Sequence, residues 1–361
     1  CGIMIWRKES GKIWKYPLVW GLLLLFFLFN LWNIYISVGT YSRREWRKMH
    51  EISREGQWDP AVVGYAQDMY EDLDIFAMMR TKMLSTGYEP KGAFREFVNE
   101  CYRFFDGRVK EIRANGEGEG DYYPGQYLEI HNILYVDILS YVWLEMAILV
   151  SFLVIFLMDY ERICRTADLV YSSPKGREIQ VRKLLVGLVH GMAASLLLLG
   201  GTLAVFFLIV PMEGLWEVPV TAPLVANVRV FWLYPFITYQ SMTVGAYLIA
   251  SLITGLLLAL GVGILSGILQ IVVRNSYRAV IILLILLLGL YVLSGVQTGT
   301  YFDVFCRMSP AGLWGRCGTW FMEWDLVMCF QGNEILTLIF HYLICAIGVA
   351  AGVRLWMRRD L

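Results

Sequence analysis

Six long apolar runs constrain this chain more than any other feature of its sequence. A helix needs about 20 consecutive apolar residues to cross the hydrocarbon core of a bilayer. Runs of that kind lie at 18–38, 138–158, about 184–210, about 244–273, near 279–297 and near 335–356. A helix satisfies its own backbone hydrogen bonds inside lipid, so the runs predict an all-α membrane protein with six transmembrane helices.

The composition agrees with a membrane protein. Of the 361 residues, 57% are hydrophobic and 17% are charged, whereas about 25% of residues are charged in a typical soluble domain. The formal net charge is zero, so the overall charge indicates neither an acidic nor a basic partner. We expect contact with membrane lipid and no contact with nucleic acid.

The positions of lysine and arginine predict the orientation, because cytoplasmic loops carry an excess of these residues. The N-terminal tail, the 159–183 loop, the 274–278 turn and the C-terminal end together hold 15 of them, against three in the 211–243 and 298–334 loops. We therefore expect both termini to be cytoplasmic in a bacterial plasma membrane. The first run lacks a following cleavage pattern, which favours a retained span over a signal peptide.

The long segment between the first two runs predicts a helical outer domain. In residues 91–112 the apolar side chains recur at helical spacing, and residues 61–84 show a weaker pattern of the same kind. The glycine-rich run at 115–125 then returns the chain to the second span. We divide the chain into a cytoplasmic tail with the first span (1–38), the outer domain (39–135), and spans two to six with the cytoplasmic 159–183 loop (136–361).

The loop between the last two runs favours short helices. Residues 298–334 are aromatic and apolar enough to return into the membrane as hairpin helices on the outer side. An oxidising exterior allows a disulfide there, for example Cys306–Cys317. Cysteine spacing does not choose among the pairings, and free buried thiols are an equal alternative.

The sequence contains no recognisable catalytic motif. The four histidines are scattered among different segments, no Cys/His cluster has metal-ligand spacing, and a phosphate-binding loop of the G-x-x-x-x-G-K-S/T type does not occur. Gly255, Gly263 and Gly267 of the fourth run indicate close helix packing rather than chemistry. We expect no catalytic residue, metal or cofactor in this chain, which we do not interpret as an enzyme.

Polar residues inside the apolar runs are candidates for a translocation path. Glu145 lies in the second run, where a carboxylate is costly in lipid. Asn30, Asn33 and Ser37 share one face of the first run. Each set has a second interpretation, in which the carboxylate hydrogen-bonds to a neighbouring helix and the polar stripe holds helices together.

The segment MDYERICRTADLVYSSPKGREIQVRKLL, residues 158–185, is unusually polar for this chain. Residues 166–173 predict a short surface helix. The run Ser173-Pro174-Lys175-Gly176-Arg177 ends it, because proline cannot continue a helix and glycine permits a tight turn. A basic loop of this kind binds anionic lipid head groups, but the order of its residues indicates a more specific role.

That order resembles the permeases of the type-2 ABC exporter superfamily. Those proteins have six spans and, after the second, a run like E-R-x-x-G-T…L-L-x-S-P-x-x-R…K-L-L. The residues that match this run are Glu161, Arg162, Thr166, Leu169, Ser173, Pro174, Arg177, Lys183, Leu184 and Leu185. Cys164-Arg165 stand where the family commonly has glycine before its threonine, a departure that keeps the spacing.

The resemblance implies that the 159–183 loop is a coupling helix that binds in a cleft of a separate ABC ATPase subunit. Glu161, Arg165, Lys175 and Arg177 would fix its register at the polar rim of that cleft. ATP and Mg²⁺ would bind to the ATPase, and a second permease copy or a sister permease would complete the path. The chain would export an amphipathic peptide or drug. The alternative is a membrane sensor or scaffold with a ligand-binding outer domain.

Overall fold

The computed structural model describes residues 2–38, 70–71, 73–117, 130–171, 176–222 and 236–358. Its regular elements are helical, and the described backbone contains isolated β-bridges but no strand. A π-helical stretch, Asn132–Leu139, leads into α5. The twelve α-helices of the described residues are α1 (Gly2–Trp14), α2 (Pro17–Val38), α3 (Ile75–Thr86), α4 (Gly92–Asn115), α5 (Ser140–Ile163), α6 (Ala167–Tyr171), α7 (Gly176–Ile209), α8 (Val244–Val273), α9 (Ser276–Ser294), α10 (Tyr301–Arg307), α11 (Pro310–Trp314) and α12 (Asn333–Arg358).

The prediction of six membrane-spanning helices is confirmed for the part of the chain that the structure describes. The helices long and apolar enough to cross a membrane are Pro17–Val38, Asn132–Ile163, Ile179–Ile209, Val244–Val273, Ser276–Ser294 and Asn333–Met357. The second and third are longer than their apolar runs, because helical hydrogen bonding continues through the polar residues at their ends. The second span thereby reaches Glu161 and the third begins before Lys183.

The second span, which ends in α5, lies at the centre of the bundle. In its most apolar window 72% of the residues are buried inside the protein, against 17% for α2 and 11% for α9. Glycines bring the neighbouring helices close to it: a Cβ on Gly255 would lie 2.5 Å from the indole of Trp143, and one on Gly263 would lie 2.2 Å from Val150. The predicted role of these α8 glycines in close packing is confirmed.

Helices α3 and α4 form a separate apolar cluster. Asp74 begins α3 by accepting hydrogen bonds from the amides of Phe76 and Ala77, at 2.8 and 2.9 Å. Helix α4 ends at Asn115 and is followed by Gly116, whose φ of 66° is the left-handed conformation that glycine favours. The helix predicted for 91–112 is confirmed, and the weaker pattern at 61–84 is helical in its described part from Ile75 onward.

The loop between α9 and α12 contacts both the core of the membrane helices and the α3–α4 cluster. It contains the short helices α10 and α11, as predicted. Leu313 and Trp320 pack into the core of the membrane helices, whereas Val327 and Met328 pack against α4. This loop therefore joins the α3–α4 pair to the helical bundle.

The predicted N-terminal tail is itself a helix. Ile13 of α1 is fully buried in a cluster with residues of α5 and α7. The indole of Trp14 donates a hydrogen bond to His190 Nδ1 on α7 at 3.0 Å. The sequence did not predict this packing, because the partners of Ile13 on α5 and α7 are distant in the chain.

Candidate functional site: an ion cluster beneath a short surface helix

A sharp turn carries the chain from α5 into the short helix α6. The amide of Thr166 donates to the carbonyl of Glu161 at 2.8 Å, and the amide of Cys164 donates to that of Tyr160 at 2.9 Å. Between them Arg165 adopts a φ of 57°, a left-handed conformation that is uncommon for residues other than glycine. The turn places α6 across the ends of α5 and α7.

One face of α6 is attached to the bundle. Ala167 and Val170 pack against an apolar cluster that includes Met158 of α5 and Leu184 of α7. Leu169 points the other way, with 79% of its surface exposed. The predicted short helix is therefore present, and its apolar residues are divided between an inner and an outer face.

Near the end of α5, the carboxylate of Glu161 joins three helices. Its Oε1 accepts a hydrogen bond from Lys12 of α1 at 3.0 Å, and its Oε2 pairs with Lys183 of α7, whose side chain is fully buried. Lys12 also reaches Glu9 at 2.7 Å. Buried charges are stable only when they are paired in this way, and removing one partner is strongly destabilising.

This arrangement corrects the expectation that Glu161 lies at the rim of a partner's cleft. Glu161 is buried, and both of its oxygens are engaged by lysines of the same chain. The carboxylate therefore joins the end of α5 to α1 and α7 within the protein, and Lys183, which the resemblance includes among the coupling residues, is its buried partner. Lys12 was not predicted, since nothing in the local sequence indicates that the N-terminal helix folds back onto α5.

A second buried carboxylate connects α5 to the junction between α8 and α9. Asp159 accepts from the side-chain amide of Gln270 at 3.1 Å and from the backbone amide of Ser276 at 3.3 Å. Arg162 lies 3.6 Å from the same carboxylate. Neither Asp159 nor Gln270 was predicted as a site residue, although an acidic residue at the end of a span is a signal for such a pair.

The remaining predicted coupling residues lie beyond these contacts. Ser173, Pro174 and Lys175 are outside the described residues, and so is the side chain of Arg177. Gly176 is the first residue of α7. Hence the structure describes the first half of the predicted docking segment and the buried lysine that follows it.

Two of the candidate path residues meet inside the bundle. The side-chain amide of Asn30 on α2 donates to Glu145 Oε2 on α5 at 2.7 Å and to Thr202 Oγ1 on α7 at 3.2 Å. Asn30, Glu145 and Thr202 are all buried. Asn33 donates to the backbone carbonyl of Asp137. These are the contacts expected of residues that hold helices together.

Ser37, the fourth candidate path residue, is half-buried and lies one residue before the end of α2. It is seven residues from Asn30 on the same helix, about two turns away. The structure therefore brings Asn30 and Glu145 into direct contact and leaves Ser37 near the helix end.

We expect the polar contact at Glu145 to stabilise the bundle through its hydrogen bond rather than its charge. Glu145→Gln keeps an oxygen that accepts from Asn30 and should unfold like the native protein. Glu145→Ala leaves the Asn30 amide without this partner and should lower the free energy of unfolding by about 1–3 kcal/mol. Denaturant unfolding in detergent measures both variants, and equal losses in the two would contradict this assignment.

Buried polar contacts also fasten the α3–α4 pair to the loops of the bundle. Arg108 of α4 donates to Glu117 at 3.0 Å and to the carbonyl of Thr238 at 3.2 Å, and Thr221 donates to Glu117 at 3.1 Å. Burial raises the pKa of Glu117, but the hydrogen bond and charge of Arg108 outweigh it and hold that pKa below its ordinary value.

Asp303 makes a similar contact at the start of α10. It accepts from the hydroxyl of Tyr88 at 2.6 Å and from the amides of Thr298 and Gly299, each at 2.8 Å. Burial raises the pKa of Asp303, yet these hydrogen bonds leave its pKa below the usual value.

Among the described residues, no group of three or more His, Cys, Asp and Glu side chains has a geometry that could hold a metal ion.

The suggested Cys306–Cys317 disulfide is absent, because both residues are free thiols in the structure. The thiol of Cys317 donates to the carbonyl of Tyr135 at 3.1 Å, and burial raises its pKa to about 12. Cys306 lies in α10, where burial also raises the pKa of its thiol. The two thiols thus have separate surroundings.

The six long apolar helices of the described residues are those of a multi-pass membrane protein. Comparisons of the chain with protein-family models, with curated proteins and with solved structures found no match. The proposal below rests on the contacts around α6 and on the residue order of the 159–183 loop.

Proposed function

We propose that this chain is the membrane permease subunit of an ATP-driven exporter of the ABC type. The observation that carries the proposal is α6, a short helix held on the ends of α5 and α7 with Leu169 turned outward. A separate ATPase would bind this outer face and would supply ATP and Mg²⁺. Both termini and α6 would lie in the cytoplasm of a bacterial cell, and the α3–α4 pair would lie outside.

The turn before α6 supports the resemblance to type-2 ABC permeases at its one point of departure. Arg165 stands directly before Thr166, where those permeases commonly have glycine, and its φ is 57°. Glycine adopts such a conformation without a steric penalty. The backbone shape that would explain a glycine in the family is therefore retained here with an arginine.

The buried carboxylates connect the end of α5, which leads into α6, to the other membrane helices. Glu161 joins the end of α5 to α1 and α7, and Asp159 joins it to the α8–α9 junction. Removing one partner from a buried ion pair costs about 3–5 kcal/mol. An ATPase that displaces α6 would therefore move the connected ends of α1, α5, α7 and the α8–α9 junction together. Such a joint movement of helices is needed for ATP to drive a change of the transport path.

The cargo and the permease partner follow from the same proposal. A second copy of this chain or a sister permease would complete the path, and α2 and α9 offer largely exposed apolar surfaces for that contact or for lipid. The cargo would be an amphipathic peptide or drug.

The proposal is tested by searching beside this gene for one that encodes a lone ABC ATPase and co-expressing its product with the full chain. We expect the two proteins to purify together and to hydrolyse ATP. Leu169→Asp should weaken ATPase binding by about tenfold or more, because a carboxylate would have to be buried in an apolar contact. The measurements are co-purification and the rate of ATP hydrolysis.

Leu84→Asp is the matched control, since Leu84 is 84% exposed and lies on α3, on the side assigned to the exterior. It should leave ATPase binding unchanged. If the chain purifies without the ATPase and the ATPase does not bind the 159–183 loop, the exporter proposal is wrong. A sensor or scaffold, with the α3–α4 pair as its ligand-binding part, would then be the better interpretation.

A further inference from the structure

Two thiols from distant parts of the chain contact each other in the apolar cluster of the α3–α4 pair. Cys101 lies in the middle of α4, and Cys329 lies in the loop that precedes α12. Both side chains are buried in the same cluster. Both are free thiols in the structure, the Cys329 thiol donates to the carbonyl of Leu326 at 3.4 Å, and each thiol shifts the pKa of the other.

The aromatic residues one helical turn on either side of Cys101 make ring contacts with residues outside α4. On one side, the ring of Phe97 lies 5.8 Å from that of Phe330, centroid to centroid. On the other, the ring of Phe105 lies 5.3 Å from that of Tyr239. Cys101 therefore lies between two ring contacts that are spaced along α4.

A hydrogen bond fixes the loop side of this arrangement. The hydroxyl of Tyr239 donates to the carbonyl of Met328 at 3.1 Å, directly before Cys329. The side-chain amide of Asn333 donates to the same carbonyl at 3.1 Å and to that of Phe330 at 3.0 Å. The backbone on both sides of Cys329 is thus held in place opposite α4.

The other described cysteines have different partners. Cys317 donates to the carbonyl of Tyr135. Cys345 lies within a span, 3.6 Å from His341. Cys164 is exposed at the turn before α6. Among the described residues, Cys101 and Cys329 are the pair of thiols that the fold places against each other.

We propose that Cys101 and Cys329 form a disulfide, made outside the cell by exchange with the disulfide of an extracytoplasmic thiol–disulfide oxidoreductase. The inference rests on the proposed function for its compartment, because that proposal places the α3–α4 pair on the exterior. Disulfides persist in such oxidising surroundings and are rare in the cytosol.

The exchange proceeds in two steps. The thiolate of Cys101 attacks a sulfur of the oxidoreductase disulfide, so a mixed disulfide forms and the second oxidoreductase sulfur leaves as a thiolate. The thiolate of Cys329 then attacks the Cys101 sulfur and releases the first oxidoreductase sulfur. The oxidoreductase gains two electrons and takes up the two protons that the cysteines lose.

The surroundings of the pair favour Cys101 as the attacking group. The neighbouring Cys329 lowers the pKa of Cys101 by more than burial raises it, whereas Cys101 and burial both raise the pKa of Cys329. The thiolate is the reactive form, so Cys101 would react first and Cys329 second. The product would tie α4 covalently to the loop before α12.

The test uses the full chain, expressed in a cell with an oxidising exterior and denatured in a thiol-alkylating reagent without reductant. Proteolysis and mass spectrometry should show a peptide containing Cys101 linked to one containing Cys329, and the link should vanish on reduction. Cys329→Ser should leave Cys101 alkylated, whereas Cys306→Ser should leave the link intact. Alkylation of both cysteines in the unreduced native chain would overturn the disulfide.

A topology measurement separates this failure from that of the proposed function. A membrane-impermeant maleimide added to intact cells should label the Leu84→Cys variant, because Leu84 is exposed on α3. If Leu84→Cys is labelled in intact cells while Cys101 and Cys329 are found unlinked, only the disulfide proposal is wrong. Labelling only after the cells are opened places the α3–α4 pair inside, which overturns the disulfide and the orientation on which the exporter proposal depends.

Discussion

Lys183→Met is expected to lower the free energy of unfolding by about 3–5 kcal/mol, the range for removing one partner of a buried ion pair. Lys183 is fully buried against Glu161 Oε2, so the substitution leaves that oxygen without its cation. The double variant Lys183→Met/Glu161→Leu should recover much of the loss, because it removes the carboxylate as well. Lys12 would keep Glu9 as its partner. Unfolding in detergent measures the three proteins.

Lys8→Met controls for the loss of a lysine near the same surface, since Lys8 is exposed on α1. It should unfold like the native protein. A double variant that is no more stable than Lys183→Met would contradict the pairing. Under the exporter proposal, Lys183→Met should reduce transport per ATP hydrolysed more than it reduces ATPase binding, because the outer face of α6 is unchanged.

Gly191→Leu is expected to destabilise the bundle by about 3 kcal/mol, the upper end of the usual range for overpacking. A Cβ at Gly191 would lie 2.9 Å from the Cα of Val150, and one at Gly187 would lie 2.9 Å from the Cα of Val154. The obstacle is backbone, which does not move aside as a side chain would. Helix α7 packs on α5 through these two glycines, in a spacing typical of close helix pairs in membranes.

Gly200→Leu is the matched control on the same helix, because a Cβ there meets nothing within 4 Å. Both substitutions bring the same gain in helix propensity, so the difference between them isolates the contact with α5. Unfolding in detergent should show a loss for Gly191→Leu and none for Gly200→Leu. Similar stabilities of the two variants would mean that α5 and α7 do not pack this closely.

Local patterns in the sequence were sufficient for the helical elements. The length of the apolar runs predicted the six spans, and the helical spacing of Phe94, Val98 and Phe105 predicted α4. Such patterns are reliable because helix formation and burial of one face depend on residues within a few turns of each other. Helix α1 escaped prediction, since its packing depends on a distant surface formed by α5 and α7.

The partners of the buried polar groups were decided by the tertiary structure. Lys12 and Glu161 are 149 residues apart in the chain, and Asn30 and Glu145 are 115 apart. Whether such groups meet depends on the rotation and depth of whole helices, which are set by close contacts such as that of Gly191 with α5. The sequence thus determined which segments are helical and apolar. Only the packing of those helices decided that Glu161 faces inward, that Leu169 faces outward, and that Cys101 lies against Cys329.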